Sequence, residues 1–314
     1  FSITFLPVAF PDQTVIAGTV TVARNGSGAN IKNQVSVRDL TTSQNPGAGD
    51  FDIELDYDPG VIPAYRSAFE AAAARWEEII VGDVPDHYGF LPSSACQPQG
   101  EAGPVDDLKI FVSVETLDGP GGALGQAHPC YYRTSGAQLP ITARVLMDAA
   151  DISGLLSAGI LDDILLHEMG HSLGIGLLWH RPPYAHLQDA GTSDPYFSGP
   201  AAVAAFNALG GSGRVGPKVP VENTGGFGVQ DLHWRASVFG SEVMSISLDP
   251  SIGNPISPIT VASLADLGYT VDPGAADPYT VPSPFAAAAG EGTNTGFRLI
   301  EAPGPQPLPA PKGG

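Results

Sequence analysis

An α+β fold is what this sequence predicts, with strands and helices sharing one large core. Three observations carry that expectation. Short alternating apolar runs read as half-buried strands, one long run over residues 63–80 has helical spacing, and a second helical run carries histidines in an otherwise apolar stretch. At 314 residues with 43% hydrophobic content the chain can bury a sizeable core, while 39 Gly and 30 Pro argue against a helical bundle.

Residues 1–46 are rich in Val, Thr, Ser, Asn and Gly, with alternating pieces such as "GTVTVAR", and read as a β-rich extension or remnant pro-segment. In "FDIELDYD", Phe51, Ile53 and Leu55 alternate with polar residues as in a strand. Next, Tyr65, Phe69, Ala72, Trp76 and Ile79 recur at helical spacing, with Pro63 suited to a first turn. Two further strands are expected at Leu108 to Val114 and Ile141 to Met147, separated by a Gly-rich stretch. "GILDDILLHEMGHSLG" reads as the second long helix, ended by Gly174.

From Ile175 to about Leu232 the chain turns loop-like, with one short helix in "AAVAAFNAL". A last helix is expected at "PITVASLADL", with Ser257 as N-cap, Pro258 in its first turn and Gly268 beyond its end. The Pro-rich tail, 303–314, reads as a linker or disordered end. The body, 47–302, is expected to be one domain.

Fourteen basic against 33 acidic residues give a formal charge of −19, which repels nucleic-acid phosphates and anionic membranes. No apolar run is long enough to span a membrane. The start lacks an initiator Met and a basic leader, as a processed product would. Two cysteines cannot make a four-thiolate metal site, so Cys96 and Cys130 predict one disulfide closing a loop in an oxidising compartment, with two buried free thiols as the alternative.

The chemistry is concentrated in "ILLHEMGHSLGIGLLWH", Ile164 to His180. His167 and His171, four apart on a helix, share one face about a turn apart, the bite that one zinc ion requires. Glu168 lies about 100° round the helix, beside the metal without ligating it, where it can take a proton from water. A chance match is weakened by Ile164, Leu165, Leu166, Leu173 and Ile175, which bury the helix: two His and a Glu without strong partners would be costly there.

A catalytic zinc needs a third protein ligand. His180, His186, Glu222 and His233 are the candidates. His180 leaves an apolar helix end toward "RPP", and Glu222 sits in the loop-like "VPVENTGG", where it would give a thermolysin-like set. His233 stands in "HWRASVFGSEVM", eleven residues before Met244, a distance that lets a tight turn place a Met beneath a metal.

Together, "HEMGHSLGIGLLWH", a His displaced 62 positions (233 minus 171) within "HWRASVFGSEVM", and "ITVASLADLGYTVD" resemble the leishmanolysin branch of the metzincin metalloproteases, bacterial members in particular. The resemblance runs from about Phe51 to Asp277. It implies a two-lobed zinc protease domain, with a twisted mixed sheet and two long helices in the N-lobe (about 47–174). The C-lobe (about 175–302) would be loop-rich, with a Met-turn and a final helix.

It also implies His167, His171 and His233 as zinc ligands, Glu168 as general base and Met244 as the floor of the Met-turn. Ile246 stands where other metzincins carry a tyrosine, so no tyrosine switch is expected. The chain can form one disulfide where leishmanolysin has many.

The implied activity is that of a secreted, monomeric zinc endopeptidase acting on protein or peptide substrates through a zinc-activated water, held at the cell surface if a further segment follows the tail. An extended substrate would add to a strand edge, expected in Gly121, Gly122, Ala123, Leu124 and Gly125, with a Gly-rich hairpin as the alternative. Asp106-Asp107 and Asp162-Asp163 could hold calcium but form no spaced ligand loop. The rival function is a zinc-bound adhesion or scaffold module without catalysis, and the intact Glu168 argues against it.

Overall fold

The computed structural model describes residues 50–97 and 100–282, apart from 227, 250 and 252, together with four short strands outside those ranges. The chain divides into two compact units, Phe1–Gly49 and Asp50–Gly314. In the first, β1 (Ser2–Thr4) and β2 (Thr19–Thr21) pair antiparallel, Ile3 facing Val20. The rest of the N-terminal extension and all but two residues of the Pro-rich tail lie outside the described residues.

The second unit opens with β3 (Ile53–Tyr57) and α1 (Pro63–Ile79), then β4 (Leu108–Glu115), β5 (Gly125–Tyr132) and β6 (Pro140–Asp148). Helices α2 (Ile152–Ala158) and α3 (Leu161–Ser172) follow. Beyond them come β7 (Leu187–Gln188), β8 (Tyr196–Phe197), α4 (Pro200–Ala208), α5 (Ser212–Val215), β9 (Val219–Pro220), α6 (Ala236–Phe239), β10 (Ser247–Leu248) and α7 (Pro258–Asp266). Two short strands complete it, β11 (Phe297–Arg298) on β10 and, in the tail, β12 (Leu308–Pro309) on β5. The protein is thus α+β with a mixed sheet, ordered β12-β5-β6-β4-β3.

Strands β3, β4 and β6 run parallel, and β5 runs antiparallel to β6 with Gly125 opposite Met147 and Ala127 opposite Val145. The sequence pattern does not delimit β5 as a strand, and the reason is Pro129. It lacks an N–H, and the register shifts between Pro129 and Tyr131, so the strand bulges at Cys130. β12 covers the outer side of β5 at Tyr131 and Tyr132.

Helix α1 forms where the apolar spacing predicts, starting with Pro63 and burying Phe69, Ala72, Trp76 and Ile79. Its Trp76 is fully buried and donates from Nε1 to Leu166 O at 3.0 Å, fixing α1 against α3. A buried indole of this size contributes roughly 1.5–3 kcal/mol of apolar stabilisation, so this contact sets where α3 lies. The second long helix lies within the run the sequence marks, as Leu161–Ser172, and a separate short helix that the sequence pattern does not mark precedes it. Gly159, at φ 71°, ends α2 and the chain restarts as α3 at Leu161.

Among the described residues no helix is long and apolar enough to cross a membrane. Cys96 and Cys130 are joined, with Cα atoms 5.4 Å apart, in a small core of Leu91, Val105, Tyr131 and Ile141.

Candidate metal centre

The end of α3 is shaped by glycine. Leu173 caps the helix and Gly174 turns at φ 105°, where a side chain would strike Leu178. Two residues on, Gly176 adopts φ 76°, and a Cβ there would stand 2.2 Å from Leu232 O. Only glycine permits that approach, which seats the post-helix turn against the segment carrying His233.

His167, His171 and His233 come together, all fully buried, with ring nitrogens within 4.8 Å of one another. His171 Nε2 is 3.0 Å from His167 Nε2 and 3.2 Å from His233 Nε2. The opposite nitrogens face main-chain carbonyls: His167 Nδ1 meets Val243 O at 2.6 Å, His171 Nδ1 meets Ile175 O at 2.9 Å, and His233 Nδ1 meets Val229 O at 2.8 Å. A carbonyl only accepts, so each Nδ1 donates; in the tautomer protonated only there, each ring turns its Nε2 lone pair inward. Three convergent lone pairs, each oriented by an outer hydrogen bond, form a group that could bind one metal ion.

Met244 is fully buried under α3, and a methyl group on Gly170 would meet its Sδ at 2.5 Å. Gly170, inside the His-Glu-x-x-His stretch, is what lets the sulfur reach the helix. Glu168 is also fully buried, and Oε1 comes within 3.1 Å of where a Cβ on Gly125 would lie. The start of β5 therefore runs directly over this carboxylate.

The expected substrate segment divides at that point. Gly125 begins β5, while Gly121, Gly122, Ala123 and Leu124 form a loop before it. Carboxylates tie the loop down: Gly121 N donates to Asp151, Ala123 N to Asp118, and Asp118 N and Gly119 N to Asp148. Burial alone would raise the Asp148 pKa, but the N–H donors of Ala150, Asp118 and Gly119 outweigh it and hold the carboxyl below its ordinary range.

The other candidate ligands lie elsewhere. His180 is exposed, its pKa lowered first by partial burial and then by Arg181. His186 is held by Asp266 O at 3.1 Å. The Glu222 carboxylate is spent on its own loop, accepting from Asn223 N, Thr224 N, Thr224 Oγ1 and Ala236 N. Asp107 binds Asp52 N and Val84 N, and Asp163 binds Asn254. Asp83, Asp86 and Asp106 group at the surface, all at least partly exposed.

Glu242 is the residue that sequence reasoning passes over. Its carboxylate is fully buried and accepts from Met244 N at 2.6 Å, Ser257 N at 3.1 Å, Ser257 Oγ at 2.8 Å and Thr260 Oγ1. Burial pushes its pKa up to about 7 even against those donors. The signal was a lone acid in the apolar run "SEVMSI". The chain matches no protein-family model and no curated protein.

Proposed function

We propose that the chain is a zinc-dependent endopeptidase of the metzincin type, leishmanolysin-like in its site residues. The observation that carries the proposal is the convergence of three Nε2 atoms beside the buried Glu168, with every Nδ1 engaged by a carbonyl. Corners of a zinc tetrahedron with bonds of about 2.0–2.1 Å are about 3.3 Å apart, close to the separations of 3.0 and 3.2 Å here. What zinc supplies in such a site is Lewis acidity, which lowers the pKa of water to about 7 and polarises a carbonyl oxygen.

The chain's own residues do the rest. Glu168 takes the proton of the attacking water at its carboxylate and returns it to the leaving amine, serving as base and then acid. Met244 closes the floor with an apolar surface, and the carbonyls bonded to the three Nδ1 atoms hold the buried imidazoles with their Nε2 atoms turned toward one another. A peptide held extended would lie along the outer edge of β5, where Gly125 offers backbone without a side chain directly over Glu168. The disulfide supports an oxidising compartment, and with it secretion.

The site favours this reading over a thermolysin-like set, because Glu222 is already saturated with loop donors. Casein digestion with and without chelator, together with metal analysis, tests it. Wild type should bind one zinc and lose hydrolysis on chelation. Glu168→Ala should keep the zinc and lose at least about 100-fold in turnover. Normal turnover by that variant removes the catalytic reading, and zinc binding without proteolysis in the wild-type protein points to a scaffold module instead.

A further inference from the structure

The turn over residues 242–245 touches the histidine cluster at several points. Val243 O holds His167 Nδ1 at 2.6 Å, Met244 packs against Gly170 between the two helix histidines, and Met244 O accepts from Trp234 N at 3.0 Å, next to His233. A shift of this turn would move the carbonyl that holds His167, the sulfur packed on α3 between the helix histidines, and the backbone partner of Trp234 beside His233. Its own hydrogen bonds are few: Ser245 N donates to Glu242 O at 2.8 Å and Val243 N to Pro255 O at 3.0 Å.

The Glu242 carboxylate supplies the remainder. One oxygen accepts from Met244 N inside the turn, and the other accepts from Ser257 N, Ser257 Oγ and Thr260 Oγ1 at the start of α7. Helix α7 is the firmer body. Ser257 Oγ caps it by accepting from Thr260 N, and Ile259, Val261 and Leu264 are buried. Thr260 Oγ1 also accepts from Trp234 Nε1 at 2.8 Å, so the same hydroxyl joins the His233 segment to this carboxylate.

We infer that Glu242 is a positioning residue for the metal centre, clamping the turn beneath the three histidines to the N-terminal end of α7. This rests on the reading of the histidine trio as a zinc site. A residue of this kind is distinguished from a merely stabilising one by its effect on metal affinity: partners bonded directly to ligands are worth about 10–100-fold, and Glu242, one step further out, belongs at the low end. Glutamine is the informative replacement, because it keeps the volume but must turn an amide N–H₂ toward one set of donors.

The experiment loads the full chain with zinc and measures affinity by competition with a chromophoric chelator, alongside the visible spectrum of the cobalt-substituted protein. Glu242→Gln should keep the wild-type circular dichroism, bind zinc about ten-fold more weakly and shift the cobalt bands. Glu77→Gln, which disturbs a carboxylate bonded to Ile53 N in β3 and to none of the groups that hold the histidines, should leave affinity and bands unchanged. Wild-type affinity and bands in folded Glu242→Gln overturn the inference.

If Glu242→Gln does not fold, Ser257→Ala removes one of the four donors and should weaken zinc binding measurably, by less than the roughly ten-fold expected for Glu242→Gln. No change there overturns the inference equally. Failure of the wild-type chain to bind zinc is a different result: it removes the reading of the trio, and this inference with it.

Discussion

A methyl group on Gly125 would stand 3.1 Å from Glu168 Oε1, 3.2 Å from Leu146 O and 2.9 Å from Met147 Sδ. The sulfur belongs to a flexible side chain and can give way, whereas the carbonyl is part of β6 and cannot. The carboxylate would therefore yield, moving the proposed base by a few tenths of an ångström. Gly125→Ala should lower kcat by about ten-fold or more while leaving zinc content and the thermal transition close to wild type, because misplacement near the chemistry costs rate before it costs stability. Unchanged kcat would mean that Glu168 does not need this space. Gly176 has the opposite character: any side chain there meets backbone at 2.2 Å, so substitution damages the fold itself.

At the scale of elements, β5 joins the disulfide to the site. Its first half runs over Glu168 and its bulge holds Cys130, bonded to Cys96 across 34 residues. Loop-entropy reasoning for a closure of this length gives about 4 kcal/mol, and strain usually reduces it. The double variant Cys96→Ser, Cys130→Ser should lose about 2–4 kcal/mol in urea unfolding. The amides of Ala127 and His128 should exchange faster with solvent, and unaltered exchange there would separate the disulfide from the strand's rigidity. This strand was the least legible in the sequence. Pro129 and Gly125 break the alternation, so pairing with β6, a long-range contact, decides its conformation, whereas β3, β4, β6 and α1 carry their own local period. The site divides in the same way. His167, Glu168 and His171 are fixed by spacing on one helix, but the partner from residue 233 and the clamp at Glu242 depend on how distant segments meet.

Across the whole molecule the excess of acid, −19 in formal charge, makes some carboxylates costly to ionise. At Asp107 burial leads and the neighbouring acid adds to it. Burial raises its pKa to about 6; the N–H groups of Val84 and Asp52 pull it down, and the neighbouring Asp106 and Asp83 push it up. A folded pKa above the unfolded one means that the native state binds the proton more tightly. Its contribution is fully present below about pH 4 and is lost as pH rises through about 6. Between pH 5 and pH 7.5 that loss is about 1 kcal/mol. Asp107→Asn cannot titrate, so its unfolding free energy, measured by urea in chelator, should show a pH slope smaller by this amount. Equal slopes would mean that Asp107 is ionised in the fold throughout, with its two N–H donors outweighing both burial and the surrounding acid.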